Sequence, residues 1–334
     1  MLQRQRTSFI DIAKGILILV VIFHHIMFAA NEVKVSGDFS LNLYLLPLYA
    51  SWFMPAFFVI TGYCSNFNKD FSVFIINNMR TLLWPAITFF LMTTIYGLIL
   101  FPDITSIGDT LATIPIRGFN WFLMAMFISK MLYWFINRCV QNNVLKGIFV
   151  VMIAVAAIFF NDINFLNGNW FHHRHALYLT LFLYIGQVSR EKKLFLPKYL
   201  MYATILFIVV VLTCMKLNGI TPGIAGLWIN FNVCQIPLHV ILALTGTAMV
   251  LYMSMLISKC KLLEQIGKDS LIYYIFHIDI IRTVLPVICG FVFTPVGVLP
   301  VLLIDSVTVV VVAVICSMIT YIFTNSKLMQ LIKL

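Results

Sequence analysis

The chain has 334 residues, of which 62% are hydrophobic and only 10% are charged. An ordinary soluble domain is roughly 45–50% apolar and about 25% charged, so this composition excludes that class and indicates a protein embedded in a bilayer. The formal net charge of +10 does not indicate a nucleic-acid-binding protein, because the basic residues alternate with apolar segments and form no single basic face.

Ten apolar segments follow one another along the chain. They lie near residues 8–30, 43–64, 82–101, 119–138, 144–162, 176–190, 197–217, 235–258, 270–291 and 296–323. A helix needs about 20 mainly apolar residues to cross the roughly 30 Å hydrocarbon layer, and most of these segments reach that length. The sequence therefore predicts an all-α integral membrane protein, with about ten transmembrane helices in one bundle.

The basic residues predict how this bundle is oriented. Most of them, from Arg4 and Arg6 to Lys327 and Lys333, fall on one side of the predicted spans. The positive-inside rule makes that side cytoplasmic. Because the number of spans is even, both termini are predicted to be cytoplasmic as well.

No linker, low-complexity tract or internal repeat divides the chain, which predicts a single membrane-embedded domain over residues 1–334. The N-terminal stretch up to Phe28-Ala29-Ala30 has features of a cleaved signal peptide. We expect it to be retained as the first span, because Asp11 and Lys14 interrupt its apolar run. All loops are short, so any chemistry must take place inside the bundle or at its rim.

The first predicted helix carries the densest set of ionisable residues. Lys14 and His25 are eleven residues apart, close to three turns, so they share one face about 16 Å apart along the axis. The ammonium group suits a phosphate, and the deeper imidazole suits a general base. Asp11 precedes Lys14 by three residues and is placed to hold its ammonium group. His24 points about 100° away from His25, so the two imidazoles cannot line one cavity equally.

Three further polar groups stand in or beside the spans. Asp279 and Arg282 have the spacing of an internal ion pair, and Asp305 is either a partner of Arg282 or a lone hydrogen-bonding group. The run from His172 to His175 indicates a solvated outer loop or a sugar contact rather than a metal site, since no third ligand is visible. The seven cysteines show no CxxC spacing, so no metal centre is predicted.

Several ordered motifs carry a family resemblance. Phe9-Ile-Asp-Ile-Ala-Lys-Gly-Ile16, followed by His25, resembles the first-helix signature of the acyltransferase-3 superfamily of membrane proteins. The stretch from Trp52 to Gly62 resembles the second-helix motif of that family, with Thr61 in place of the usual serine. Lysine at position 14, where many relatives have arginine, is typical of the sugar O-acetyltransferase branch that includes fucose O-acetylase-like proteins.

The later motifs follow in the same order as in the family. Asn77-Asn-Met-Arg-Thr-Leu-Leu-Trp-Pro85 resembles the basic loop before the third helix, with Asn77 where a second arginine is often found. Trp121-Phe-Leu resembles the start of the fourth helix, and the stretch from Ile266 to His277 resembles a late family segment. The resemblance therefore extends over nearly the whole chain.

The resemblance implies an O-acetyltransferase of a bacterial-type plasma (inner) membrane. The donor would be cytoplasmic acetyl-CoA, and the acceptor a hydroxyl of an envelope polysaccharide or a lipid-linked sugar. No metal and no nucleic acid are expected. The implied roles are base for His25, with His24 beside it, and donor binding for Lys14, Asp11 and Arg80. Location alone suggests acceptor contacts for Arg117, His172 and His175.

Three other functions remain possible on the sequence. A transporter or flippase of a glycan precursor is consistent with Asp279, Arg282 and Asp305 inside the spans. A polysaccharide polymerase is another multi-helix envelope protein, but such proteins commonly carry a large outer loop with arginines, which this chain lacks. A purely structural scaffold would not require the histidines and charges inside the spans.

Overall fold

The computed structural model describes residues 8–32, 49–100, 108, 120–159, 170–216, 236–291 and 298–325. Within these ranges the regular structure is helical throughout. The helices are α1 (Ser8–Glu32), α2 (Phe53–Cys64), α3 (Phe71–Asn78), α4 (Trp84–Leu100), α5 (Trp121–Cys139), α6 (Asn143–Phe159), α7 (His173–Glu191), α8 (Pro197–Lys216), α9 (Ile236–Ile257), α10 (Lys261–Lys268), α11 (Ser270–Phe291) and α12 (Val298–Asn325). A π-helical stretch, Met79–Leu83, joins α3 to α4, and a 3₁₀ turn, Trp170–His172, precedes α7.

Each predicted apolar segment contains a helix among the residues that the structure describes, although residues 50–52 of the second segment form a turn. Five helical runs are long and apolar enough to cross a membrane: Ser8–Ile26, Phe71–Ile99, Ile236–Ile257, Ser270–Gly290 and Val301–Thr324. Shorter apolar helices cover Phe53–Cys64, Asn143–Ile158 and Pro197–Thr213. These helices confirm the all-α membrane class for the described part of the chain. The number of ten spans and the cytoplasmic position of both termini stay predictions.

The described residues group into two compact units. The first contains α1, the beginning of α2 up to Phe57, and α8 to α12. The second contains the rest of α2 and α3 to α7. A single membrane-embedded domain over residues 1–334 stays a prediction.

Helix α1 forms the core of the first unit. Its fully buried apolar side chains point in several directions around the helix; they are Ile12, Ala13, Leu17, Ile18, Val21, Ile22 and Ile26. A helix that is apolar around most of its circumference is stable only when other helices surround it. Here α9, α10, α11 and α12 all pack against α1. The polar side chains of α1 are therefore held in a close-packed environment that restricts their orientation.

The short helix α10 lies unusually close to the beginning of α1. A Cβ atom on Gly267 would overlap the carbonyl oxygen of Asp11, and one on Gly15 would overlap the carbonyl oxygen of Leu263. The two glycines therefore allow the two backbones to touch. Ser8 Oγ also donates a hydrogen bond of 2.9 Å to Glu264 Oε2. Close packing of α10 fixes the part of α1 that carries Asp11 and Lys14.

In the second unit, α7 packs against α5 and α6. Ser129 Oγ of α5 donates a 2.7 Å hydrogen bond to the carbonyl oxygen of Ala176 on α7. At the other end of α7, the Arg190 guanidinium donates to the carbonyl oxygens of Tyr63 and Ser65 just where α2 ends. A cation at a helix C-terminus pairs with carbonyl groups that have no partner within the helix. These contacts hold α7 along its whole length.

Candidate functional site

Asp11 and Lys14 form the ion pair that their spacing predicts. Lys14 Nζ lies 3.6 Å from Asp11 Oδ1, with the side chain of Asp11 1% exposed and that of Lys14 22% exposed. The buried carboxylate anchors the ammonium group, while part of the lysine remains accessible. Lys14 can therefore offer its charge to an anion without losing its fixed position.

His24 and His25 face different neighbours, as the helical geometry predicts. The ring of His24 lies 5.1 Å from Phe53 and 5.7 Å from Tyr49, measured between ring centroids. The ring of His25 instead lies 4.7 Å from His277 of α11, nearly perpendicular to it at 78°. His24 thus packs among aromatic side chains, and His25 contacts a second imidazole.

The tautomer of His25 follows from its hydrogen bond. Its Nδ1 lies 2.8 Å from the carbonyl oxygen of Val21, one turn earlier in α1. A carbonyl oxygen only accepts, so Nδ1 carries the proton and donates it. In the neutral ring the lone pair is then on Nε2, where a base needs it. The backbone of α1 therefore prepares His25 to accept a proton.

His277 has the same arrangement on α11. Its Nδ1 lies 3.1 Å from the carbonyl oxygen of Tyr273, again one turn earlier, so this ring also has its lone pair on Nε2. The side chain is 1% exposed. Two imidazoles, each fixed by its own helix, thus meet inside the first unit.

A tyrosine and a carboxylate extend this polar cluster. Tyr49 is 7% exposed and packs against His24, and it also interacts electrostatically with Asp305 of α12. Asp305 is fully buried and interacts with Cys289 of α11 as well. A negative charge held in a low-dielectric interior stabilises a positive charge that forms nearby far more than it would in water. We call Tyr49, His24, His25, His277 and Asp305 the polar cluster.

Asp279 and Arg282 form the second ion pair predicted from spacing. Arg282 Nη1 lies 4.0 Å from Asp279 Oδ1, with the side chains 50% and 27% exposed, respectively. This pair is more exposed than His277, the member of the polar cluster on the same helix. It contributes little to stability, since exposed ion pairs are typically worth about 0–1 kcal/mol.

The predicted donor and acceptor residues outside α1 belong to the second unit. Arg80 is exposed in the π-helical stretch Met79–Leu83. His172 and His175 lie 5.6 Å apart between ring centroids, and Trp121 of α5 packs against both at 6.3 and 5.5 Å. Arg117 lies outside the described residues. The structure thus brings His172 and His175 together on an aromatic side chain.

The interpretation of residues 172–175 as a solvated loop is wrong. Helix α7 begins at His173, and the side chains of Arg174 and His175 are 7% and 6% exposed. Phe171 and His172, which precede the helix, both have left-handed backbone angles, with φ of 50° and 56°. Such angles are uncommon for residues other than glycine. The polar run is therefore the buried beginning of a helix, reached through a sharp turn.

The sequence reasoning missed three intramembrane residues. Tyr49 and His239 were not singled out, although Tyr49 is almost fully buried beside His24 and His239 of α9 is fully buried. Lys130 lies in the middle of α5, with its ammonium 5.9 Å from the centre of the Phe74 ring. Each could have been found by applying to every span the rule that an ionisable intramembrane residue is a candidate.

Comparison with known proteins identifies the family of the chain. No match was found among curated proteins or among solved structures. The acyltransferase-3 family, described as an acyltransferase domain, matches residues 7–322. This match includes α1 with Lys14 and His25, the residues His172 and His175, and the whole of α11. The chain therefore belongs to the acyltransferase-3 family of membrane proteins and is an acyltransferase.

Proposed function

We propose that this acyltransferase transfers an acetyl group from cytoplasmic acetyl-CoA to a hydroxyl of an envelope polysaccharide or a lipid-linked sugar. It would act in the plasma membrane, the inner membrane of a bacterial-type cell. One observation carries the proposal: His25 has its Nδ1–H bonded to the carbonyl oxygen of Val21, which leaves Nε2 as a base on the same helix face as Lys14.

In the proposed reaction His25 acts as general base. Nε2 takes the proton of the sugar hydroxyl while the oxygen attacks the carbonyl carbon of the thioester. A new C–O bond forms and the C–S bond breaks. The proton on His25 then passes to the departing sulfur and gives free CoA. No acyl-enzyme is required, because base and donor act in one transfer.

The donor is proposed to bind through cations at the cytoplasmic end. CoA carries several phosphate charges, and Lys14, anchored by Asp11 at 3.6 Å, provides a fixed ammonium group for them. Arg80 is exposed and available for the same purpose in the second unit. The roughly 16 Å between Lys14 and His25 along α1 suits a long, thin donor whose thioester lies deeper than its phosphates.

The acceptor is proposed to contact residues that the sequence predicts on the outer side of the membrane. His172 and His175 pack together against Trp121 and provide hydrogen-bonding groups beside an aromatic surface. Such a combination of apolar body and polar groups is common in sites for small polar molecules. Arg117 belongs to the same proposal by its position in the sequence alone.

Surface glycans from cells test this function. Glycans are compared between cells with the wild type, a deletion and His25→Ala, by mass spectrometry and by proton NMR of O-acetyl signals. The proposal predicts loss of an alkali-labile acetyl group in both mutants, with unchanged glycan amount and unchanged membrane level of the variant. Retained acetylation in either mutant would refute it.

A transporter or flippase of a glycan precursor is the second candidate. The Asp279–Arg282 pair inside α11 and the fully buried Asp305 of α12 favour it, since intramembrane charges often mark a substrate path. In the same experiment a transporter predicts that the deletion lowers the amount of surface glycan while the remaining glycan keeps its acetyl groups.

A further inference from the structure

His277 has a buried polar atom that its packing against the described residues leaves unsatisfied. The side chain is 1% exposed, and its Nε2 is buried without a hydrogen-bond partner among the residues that the structure describes. Burying an unsatisfied polar atom typically costs about 1–3 kcal/mol, so natural proteins rarely retain one without a reason. A leucine or phenylalanine would fill the same space without that cost.

The neighbour of His277 suggests the reason. The ring centroids of His277 and His25 are 4.7 Å apart, and each ring donates its Nδ1–H to its own helix. In the resting state both Nε2 atoms are acceptors, so they cannot hydrogen-bond to each other. Once one of them gains a proton it becomes a donor, and the other ring can accept a hydrogen bond from it.

We propose that His277 is a positioning residue that accepts a hydrogen bond from His25 when His25 holds the proton of the acceptor hydroxyl. This inference rests on the proposed function and adds a second residue to its site. The unpartnered Nε2 of His277 is then explained as a group whose partner exists only during the reaction. Hydrogen bonds to charged groups are stronger than those between neutral groups, so the contact stabilises the protonated His25 that forms during the reaction relative to the resting state.

The proton balance of the step is simple. The O–H bond of the acceptor breaks and His25 gains a proton on Nε2, which donates a hydrogen bond to Nε2 of His277. The positive charge stays on the pair until the C–S bond breaks. His25 then returns the proton to the thiolate sulfur, and both rings are neutral again. No oxidant, metal or further reactant is needed.

Other titratable groups lie around the pair. His24 lies beside His25, Tyr49 packs on His24, and Tyr274 lies 5.8 Å from His277 between ring centroids. Asp305 of α12 interacts with Tyr49, and His239 is the buried histidine of α9, which also packs on α1. The charged residues of α10 lie near Asp11 and Gly15, towards the other end of α1.

His277→Phe tests the proposal in the purified full-length protein with acetyl-CoA and the glycan acceptor. Phenylalanine keeps a buried ring but offers no acceptor for the proton on His25. We expect kcat to fall about 10–100-fold with little change in KM. Because the protonated form of His25 loses a partner, the acid limb of kcat/KM should move to lower pH by about 1 unit.

Two further variants make the test specific. His239→Phe removes another fully buried histidine, from α9, and should leave the acid limb in place. His277→Gln offers an amide oxygen as acceptor and should recover part of kcat. If His277→Phe fails to reach the membrane, His277→Leu, which also has no acceptor, carries the test, and a kcat and acid limb equal to those of the wild type would overturn the proposal.

The outcomes separate this inference from the function on which it rests. Transfer by the wild type, with an equal kcat and an unmoved acid limb in His277→Phe, overturns the role of His277 alone. A rise in KM without a change in kcat also overturns it, because that result indicates a merely structural residue. If the wild type transfers no acetyl group at all, the proposed function fails and the role of His277 fails with it.

Discussion

The rings of His25 and His277 meet almost perpendicularly at 4.7 Å, although the two residues belong to the first described helix and to α11, near the other end of the chain. Each ring donates its Nδ1–H to a carbonyl oxygen one turn earlier in its own helix. The backbone therefore fixes both tautomers before any substrate binds. Preorganisation of this kind is effective because neither tautomer has to change at the moment of reaction.

Lys14→Met should weaken donor binding without affecting the chemical step. Removal of a fixed ammonium group from a phosphate costs about 1.5–3 kcal/mol, so we expect KM for acetyl-CoA to rise about 10–100-fold with kcat nearly unchanged. Lys14→Arg keeps the charge and should remain close to the wild type. Steady-state kinetics on the reconstituted protein measure both.

An exposed lysine provides the matched control for this prediction. Lys268 of α10 pairs with Glu264 at 2.6 Å, and Lys268→Met should leave KM for the donor unchanged. An unchanged KM in Lys14→Met, or an equal rise in both variants, would contradict donor binding by Lys14.

Asp305→Asn should slow the reaction. The carboxyl group is fully buried and interacts with Tyr49, which packs on His24, so we expect its negative charge to act on the polar cluster through Tyr49. Asparagine keeps the size but removes the charge, and we expect kcat to fall about 10-fold, which corresponds to about 1.4 kcal/mol. Asp279 is a more exposed carboxylate paired with Arg282, and the control variant Asp279→Asn should change kcat little. The charge of Asp305 has no catalytic role if both variants keep the wild-type kcat.

Gly267→Ala should destabilise the first unit. The added Cβ would overlap the backbone oxygen of Asp11, so α10 and α1 must move apart. Overpacking typically costs about 1–3 kcal/mol. Here the atoms that the added Cβ would meet all belong to the backbone of Asp11 and Gly15, which cannot move aside as a flexible side chain can. Thermal unfolding in detergent measures the effect as a lower midpoint temperature.

Gly290→Ala is the control for the glycine prediction. A Cβ at Gly290 of α11 meets no atom within 4 Å, and alanine is the better helix former, so the midpoint should stay equal or rise slightly. Equal midpoints for Gly267→Ala and Gly290→Ala would show that the close approach of α10 to α1 is not important for stability.

Much of the fold could be predicted because its signals are local. The length and apolarity of each segment predict the helices. A spacing of three residues predicts the Asp11–Lys14 and Asp279–Arg282 ion pairs. The different directions of His24 and His25 follow from helical geometry in the same way. Each of these predictions depends on residues within a few turns of one another.

Contacts between distant segments could not be predicted in this way. No spacing rule links His25 to His277 or Tyr49 to Asp305, because those pairs depend on how the helices are arranged. The buried start of α7 was mistaken for a loop because His172, His173, Arg174 and His175 are all polar residues. Tertiary packing buries two of them, and composition alone does not reveal that burial.

The most direct measurement is acetyl transfer by the purified protein reconstituted in lipid, with labelled acetyl-CoA and the surface glycan as acceptor, comparing the wild type with His25→Asn. Asparagine keeps a donor for the carbonyl oxygen of Val21 but is no base at neutral pH. We predict transfer of label to glycan hydroxyls by the wild type and a rate at least about 100-fold lower in the variant, with similar donor binding. A wild type that transfers no label, or a His25→Asn variant as fast as the wild type, would contradict general-base acetyl transfer by His25.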